Sequence, residues 1–386
     1  MKKAGAAVLV LLLFFLCSQV HAQAYDEADE QPQNVDEIYN AQLKNSGAEE
    51  LFDELPPQAQ RDLEELGIES PDWKELNALS FGAIFSRIMQ MFGENGQTPA
   101  LAMAQVLALM LLCALTDGLK LSFGEKPLGG IIGIVGTLCI CGVLVYPIVE
   151  AIEKSAQVIV TASGFMLLYI PVMVGVMIAA GQAVSGASYY TLMMGAGQVV
   201  TQISSNVLVP LLNIFLGMSI VSSISQRINL KGICGLCNKV VKWVLAFVMS
   251  VFVSVLTFQT MLGAAADTTS VRAARFAISS FVPVVGGALS DAFLTVQSCL
   301  KMLKSGIGVF AILGAAVIFL PMVLECLVWL FSIHVCAAAG EVFGLMQPCA
   351  LLRAAGKVIS TMIAILLCCM TVFIISAAII LIIGGS

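Results

Sequence analysis

Charged side chains are scarce in this chain of 386 residues. Asp, Glu, Lys and Arg make up 11% of it, whereas soluble domains carry about 25%. Hydrophobic residues make up 59%, and the mean hydropathy is +0.95. This composition excludes an ordinary soluble domain and predicts an integral membrane protein.

Histidine and catalytic motifs are also lacking. The chain has two histidines, and one of them, His21, lies near the N-terminus. The sequence holds no His-Glu-x-x-His, no Gly-x-Ser-Gly, no phosphate-binding Gly-x-x-x-x-Gly-Lys-Ser/Thr loop, and no Gly-x-Gly before Asp291. We therefore expect no enzymatic activity, no cofactor and no metal, and no nucleic-acid ligand.

Cysteines are present but do not form a recognisable framework. Residues 25–99 contain none, and most of the twelve lie in apolar stretches, where cysteine behaves as a small hydrophobe. Cys234 and Cys237 have the spacing of a redox site or of half a metal site. No second pair or histidine lies near them in sequence, so no role is assigned to them.

The N-terminus is typical of a secretory signal. A positively charged start precedes an apolar run over 4–20, and Ala22 and Ala24 form a small-x-small site that predicts cleavage after Ala24. The alternative is an uncleaved membrane anchor. In both cases Tyr25 and the residues after it are exported.

The exported region, residues 25–98, is strongly acidic. Residues 25–99 hold 17 acidic and 4 basic side chains, whereas residues 100–386 hold 8 acidic and 13 basic ones. Apolar residues recur at helical spacing from Val35 onward. We predict short helices that lie against the membrane or a partner, with their acidic faces in solvent.

Residues 99–386 predict a multi-pass membrane domain of about seven to nine passes, since a span needs about 20 apolar residues. The candidate spans are 100–118, 128–149, 156–181, 186–224, 243–262, 277–299, 306–333 and 358–383. The stretch 186–224 is either one long tilted helix or two short ones. Two are favoured, because the basic loop 225–242 is then cytoplasmic, as the positive-inside rule requires.

The stretch 279–291 has features that an ordinary span avoids. It contains Pro283, the pair Gly286 and Gly287, and the carboxylate of Asp291. Broken backbone at membrane depth needs cover from protein or a water-filled cavity. We predict a broken or re-entrant element inside the bundle that forms part of a pore or of the helix packing.

Other charges in or near the spans are candidates for ion pairing. Arg272 and Arg275 share one helical face before the broken stretch, and either could pair with Asp291. Glu325 lies inside an apolar span and is a further candidate. Purely structural ion pairs remain the alternative.

The residues around the broken stretch carry a family resemblance. The run reads Arg272-Ala-Ala-Arg275-Phe276-Ala-Ile-Ser-Ser280-Phe281-Val-Pro283-Val-Val-Gly286-Gly287-Ala-Leu-Ser290-Asp291-Ala292. With the signal, the exported acidic region and the multi-pass body, it resembles the stage III sporulation protein AE family of endospore-forming bacteria. The fold expected is an all-α, polytopic helical membrane bundle with a short exported helical region at the N-terminus.

The resemblance implies a place in the transenvelope, secretion-like channel complex between mother cell and forespore. Such a protein would lie in the mother-cell-derived outer forespore membrane, with residues 25–98 in the intermembrane space. Its partners would be other proteins of the stage III operon, including a cytoplasmic ATPase and ring-forming proteins, and a forespore membrane protein. The residues themselves leave two alternatives, an autonomous small-molecule transporter and a scaffold with no conduction path.

Overall fold

The computed structural model describes residues 34–123, 129–203, 207, 209–224, 231–281 and 286–383. Within these ranges the protein has twelve helices and no strand, which confirms the all-α prediction. The helices are, in chain order, α1 (Asn34–Asn45), α2 (Glu50–Asp53), α3 (Pro57–Glu64), α4 (Trp73–Asn77), α5 (Phe81–Asn95), α6 (Gln97–Phe123), α7 (Gly129–Ala179), α8 (Ala183–Ile203), α9 (Val209–Ile224), α10 (Lys231–Phe281), α11 (Gly286–Val342) and α12 (Met346–Ile383).

Several helices are much longer than a bilayer requires. Five helices of the described ranges, α6, α7, α10, α11 and α12, are long and apolar enough to cross a membrane. At 1.5 Å per residue, the 57 residues of α11 extend for about 85 Å, whereas the hydrocarbon core of a bilayer is about 30 Å thick. Length alone therefore places part of the bundle beyond the bilayer.

Some predicted spans merge in the structure. The stretches 128–149 and 156–181 belong to one helix, α7, which runs through Pro147 without ending. The stretch 186–224, by contrast, contains the two helices α8 and α9, and residues 204–206 between them lie outside the described ranges. The number of membrane crossings stays a prediction.

Helix α11 lies at the centre of the molecule, with α7 and α12 packed along it. A glycine turn reverses the chain after α11: Gly344 has φ +71°, and the Leu345 N–H donates to the carbonyl of Gly340 over 2.9 Å. Only glycine adopts this left-handed conformation without strain, and this hydrogen bond is typical of a helix C-terminus. The turn makes α12 antiparallel to α11.

Buried aromatic side chains anchor this packing. Trp329, Phe310 and Phe319 of α11 are at most 1% exposed, and the rings of Phe319 and Phe373 lie 5.8 Å apart between centroids. Full burial of a side chain of this size stabilises the fold by about 1.5–3 kcal/mol. The apolar core therefore follows α11 over most of its length.

The acidic N-terminal region docks on the same helix. Tyr39 of α1 is 2% exposed, and its hydroxyl accepts a hydrogen bond from the Trp73 N–H over 3.4 Å. Burial raises the pKa of Tyr39, so the hydroxyl stays neutral. Gly306 of α11 lies directly beneath this contact, because a Cβ added there would be 2.7 Å from the carbonyl oxygen of Pro71. The region thus packs on the bundle and not only on the membrane or on a partner.

One acidic side chain of this region is buried rather than solvated. Asp62 of α3 accepts a hydrogen bond from the Arg87 guanidinium of α5, and its side chain is 3% exposed. Burial raises the pKa of the Asp62 carboxyl, and the hydrogen bond from Arg87 offsets part of that rise. The pair holds α5 against α3.

Replacing Gly306 with Ala should loosen the N-terminal region. The new Cβ would meet a backbone atom, the Pro71 oxygen, which cannot rotate away, and overpacking of this kind costs about 1–3 kcal/mol. The rate of proteolytic cleavage within residues 34–95, measured on the full chain in membranes, should rise about fivefold or more. Gly308→Ala is the control, because its Cβ would meet only the flexible end of Leu381. Equal cleavage rates in the two variants would contradict the docking geometry.

Candidate functional site

The turn between α7 and α8 joins two buried residues, Ala180 and Ser185, and leaves polar backbone groups beside them. Gly181 has φ +82°, and the Gln182 N–H donates to the carbonyl of Met177 over 2.8 Å, so α7 ends as α11 does. Helix α8 begins one residue after Gln182. The end of one helix and the start of the next leave backbone carbonyls and amides without partners in their own helices.

Asp267 of α10 satisfies the amides at the start of α8. Its carboxylate is 4% exposed and accepts hydrogen bonds from the N–H groups of Val184 and Ser185, both at 2.9 Å. A negative charge at a helix N-terminus is favoured by the helix dipole. A carboxylate from a helix 83 residues further along the chain thus caps α8.

A glycine one turn earlier on α10 makes this contact possible. A Cβ added to Gly263 would lie 2.9 Å from the Cα of Ser185, so a larger residue there would push α10 away from α8. On the other side of the turn, the Gln297 side chain of α11 donates to the carbonyl of Ala180 over 3.3 Å. Side chains from α10 and α11 therefore pair with backbone groups at the end of α7 and at the start of α8.

One charged side chain near this turn, that of Lys304 of α11, does not cap a helix end. It is 2% exposed, and its Nζ donates to the side-chain oxygen of Gln182 over 2.8 Å. Among the described residues, the ammonium has this one neutral acceptor and no carboxylate within ion-pairing distance. The Asp267 carboxylate attracts the ammonium at longer range without pairing with it directly, and burial of a charge that is not directly paired is costly. Lys304, Gln182 and Asp267 are therefore the candidate functional site, named below the buried polar cluster.

A second polar feature is a cleft of about 380 Å³ between the N-terminal region and the bundle. Lys154 of α7 lines it and pairs with Glu150 at 2.9 Å, with both side chains about half exposed. Glu325 of α11 lines the same cleft, beside Pro321. The cleft thus joins charged side chains of α7 and α11 at one level of the bundle.

The predicted broken element lies partly outside the described residues. Helix α10 ends at Phe281 and α11 begins at Gly286, whereas Pro283 lies outside the described residues. Gly286, Gly287 and Asp291 belong to the first turns of α11, and their side chains are not described. A role for these residues in a pore or in packing stays a prediction.

The remaining predicted residues lie in separate parts of the molecule. Arg272 is exposed on α10, five residues beyond Asp267, and Arg275 follows on the same helix. Glu325 and Asp291 are 34 residues apart on α11, which corresponds to about 51 Å.

The signal-cleavage residues Ala22 and Ala24 lie outside the described ranges, and so do the side chains of Cys234 and Cys237. In the part of the chain that is described, no three His, Cys, Asp or Glu side chains are grouped as metal ligands would be.

The sequence reasoning did not single out Lys304 or Gln182. The available signal was a lysine 10 residues into the long apolar stretch 294–342, combined with a Gly-Gln pair that ends another apolar helix. Sequence alone does not show that the two side chains meet, because they are 122 positions apart.

Removing the Asp267 carboxylate should destabilise the bundle. Asp267→Ala leaves the buried amide of Ser185 and the partly buried amide of Val184 without acceptors, which costs about 1–3 kcal/mol. The melting temperature of the purified full chain in detergent should fall, and Asp267→Asn, which keeps one acceptor, should lower it less. Arg272→Ala, on the exposed side of the same helix, is the matched control. An Asp267→Ala protein that melts with this control would contradict the capping role.

Comparisons with known proteins agree on one family. The family model described as "Stage III sporulation protein AE" matches residues 72–384. A relative of that name from Bacillus subtilis (strain 168) is 24% identical over 236 residues, which cover 61% of this chain and 57% of the relative's length. No solved structure matches the chain. Because the family model covers most of the chain, including the buried polar cluster, the protein belongs to the stage III sporulation protein AE family.

Proposed function

We propose that this chain is a non-enzymatic membrane component of the channel or secretion-like complex that joins mother cell and forespore during endospore development. Membership of the sporulation family supports the developmental part of this role. The apolar helices support a place in a membrane. The part played within a channel rests on the buried polar cluster.

The proposed location is the outer forespore membrane, with residues 25–98 in the intermembrane space. The docking of the acidic region on α11, through Tyr39, Pro71 and Gly306, supports a folded extramembrane part on that side. The proposed partners are the other stage III operon proteins, among them a cytoplasmic ATPase and ring-forming proteins, and a forespore membrane protein. The ATPase would supply the energy, since this sequence has no phosphate-binding loop.

The observation that carries the proposal is the buried ammonium of Lys304. Three helices meet around it: α11 provides the lysine, the end of α7 leads to Gln182, and α10 provides Asp267. A hydrophobic residue at this position would avoid the cost of burying the charge, although the Gln182 oxygen would lose its donor. A charge retained there supports a role in moving a solute or in coupling the bundle to its partners, and not in packing alone.

Lys304→Met should impair function while the protein stays folded. The variant removes the charge and keeps most of the length of the side chain. The avoided cost of burying the charge offsets the donor lost by Gln182, so the protein should accumulate normally and melt within a few degrees of the parent. Forespore gene expression after engulfment should fall about tenfold or more in an endospore-forming host that carries only this variant. Lys301→Met, one turn earlier and half-buried, is the control and should leave expression unchanged. Normal sporulation by Lys304→Met at normal protein levels would leave a scaffold without a conduction path as the better description.

The broken element between α10 and α11 is tested separately. Asp291→Asn, and Gly286→Ala with Gly287→Ala, should each reduce forespore gene expression after engulfment if a carboxylate and a flexible backbone are needed there. Protein levels on immunoblots serve as the control for folding. Solute transport by the purified chain alone in liposomes would instead favour an autonomous transporter.

A further inference from the structure

The cleft between the N-terminal region and the bundle has walls from three parts of the chain. The start of α3 and the end of α5 form one wall, and α7 and α11 form the other two. Its volume of about 380 Å³ lies within the usual range for ligand sites, about 300–1,000 Å³. The docked region therefore closes one side of a space that is large enough for a small ligand or for a side chain.

One part of this cleft is apolar. Ile318 and Met322 of α11 and Val158 of α7 line it, and none of these side chains offers a strong hydrogen-bonding group. Such a surface suits the hydrocarbon part of an amphipathic ligand. The stems of lysine and arginine, for example, pack along apolar surface while their charged ends stay in a polar environment.

Glu325 of α11 gives the cleft a carboxylate without a direct partner. It is partly buried, and it makes no hydrogen bond and no direct ion pair with any residue of the described ranges. Lys154 of α7 attracts it at longer range, but the Lys154 ammonium is held by Glu150 at 2.9 Å. Of the two opposite charges that line the cleft, the negative one is therefore available to a ligand.

Pro321 adds a second acceptor one turn before Glu325. Proline has no N–H, so it cannot donate to the carbonyl of Val317, its partner in an unbroken helix. Val317, Pro321 and Glu325 are spaced by four residues and all line the cleft. This face of α11 therefore presents a carboxylate and a backbone carbonyl that lacks its helical donor.

The other walls supply further acceptors. The side-chain amide of Asn95 donates to the carbonyl of Met91 over 2.9 Å, which leaves the Asn95 oxygen without a partner among the described residues. Thr161 of α7 also lines the cleft, and its hydroxyl makes no hydrogen bond in the described part of the chain. A carboxylate and a carbonyl can only accept hydrogen bonds, so a ligand held by this set must donate them.

We propose that the cleft binds an ammonium or guanidinium group that carries a short apolar stem. These cations have several N–H donors and no acceptor, so they complement the Glu325 carboxylate and the Val317 carbonyl. One wall belongs to the N-terminal region, where residues 25–99 hold 17 acidic and 4 basic side chains, which also favours a cation. The same chemistry is present in a free amine and in a lysine or arginine side chain of a partner protein.

The test measures the melting temperature of the purified full chain in detergent at increasing concentrations of butylammonium or of N-acetyl-arginine amide. A ligand that binds only the folded protein raises this temperature in proportion to its occupancy. Butyrate has the opposite charge and tetramethylammonium has no N–H donor, so neither control should raise it. The amine with the lower half-saturating concentration identifies the source: N-acetyl-arginine amide indicates a side chain of a partner, and butylammonium indicates a free amine.

Substitutions locate the site. Glu325→Gln should raise the half-saturating concentration of both amines about tenfold or more, because a charged acceptor is lost. Lys154→Met should lower it about threefold, because a competing positive charge is removed. Glu153→Gln, exposed on α7 and outside the cleft lining, is the matched control and should leave it unchanged.

Three results would overturn the proposal. The first is the absence of stabilisation by either amine in a protein that melts cooperatively. The second is a Glu325→Gln protein that binds both amines as tightly as the parent does. The third is stabilisation by butyrate that Lys154→Met abolishes, because the cleft would then be an anion site. The cleft does not depend on the proposed role of Lys304, since no sporulation assay enters its test.

Discussion

The packing of α11 against its neighbours is the constraint on which the rest of the structure depends. Glycines allow the closest approaches: Gly340 lies beneath Met110 and Cys349, and Gly306 lies beneath the N-terminal region. A 57-residue helix cannot bury one face over about 85 Å without such positions, because interiors leave no room for an added methyl group. The same helix therefore holds the apolar core, the docked acidic region and the buried lysine.

The turn between α7 and α8 obtains its hydrogen-bond partners from residues far away in the sequence. The turn after Gly181 would leave carbonyls of α7 and amides of α8 unpaired, and Gln297 and Asp267 pair with them. These polar side chains have an evident structural purpose. Lys304 pairs with no backbone group and donates only to the side chain of Gln182. This difference from Gln297 and Asp267 makes the charge of Lys304 a candidate for function.

The length of the helices changes how the apolar segments are interpreted. Hydropathy treats each run of about 20 apolar residues as a crossing. In the structure, α7 passes through Glu150 and Lys154 without ending, at the level where the acidic region covers α11. The chain's own N-terminal region therefore covers part of the apolar surface of α11 at that level.

The sequence by itself determined the membrane class, the helical fold and the family, because composition, hydrophobic periodicity and a local motif are properties of neighbouring residues. The break that it predicts near Pro283 lies outside the described residues and stays a prediction. Only the tertiary structure decided that Asp267 caps α8, that Lys304 meets Gln182, and that Asp62 is buried against Arg87. These contacts join residues 25 to 122 positions apart, and no local pattern specifies which buried polar groups will share a site once helices pack.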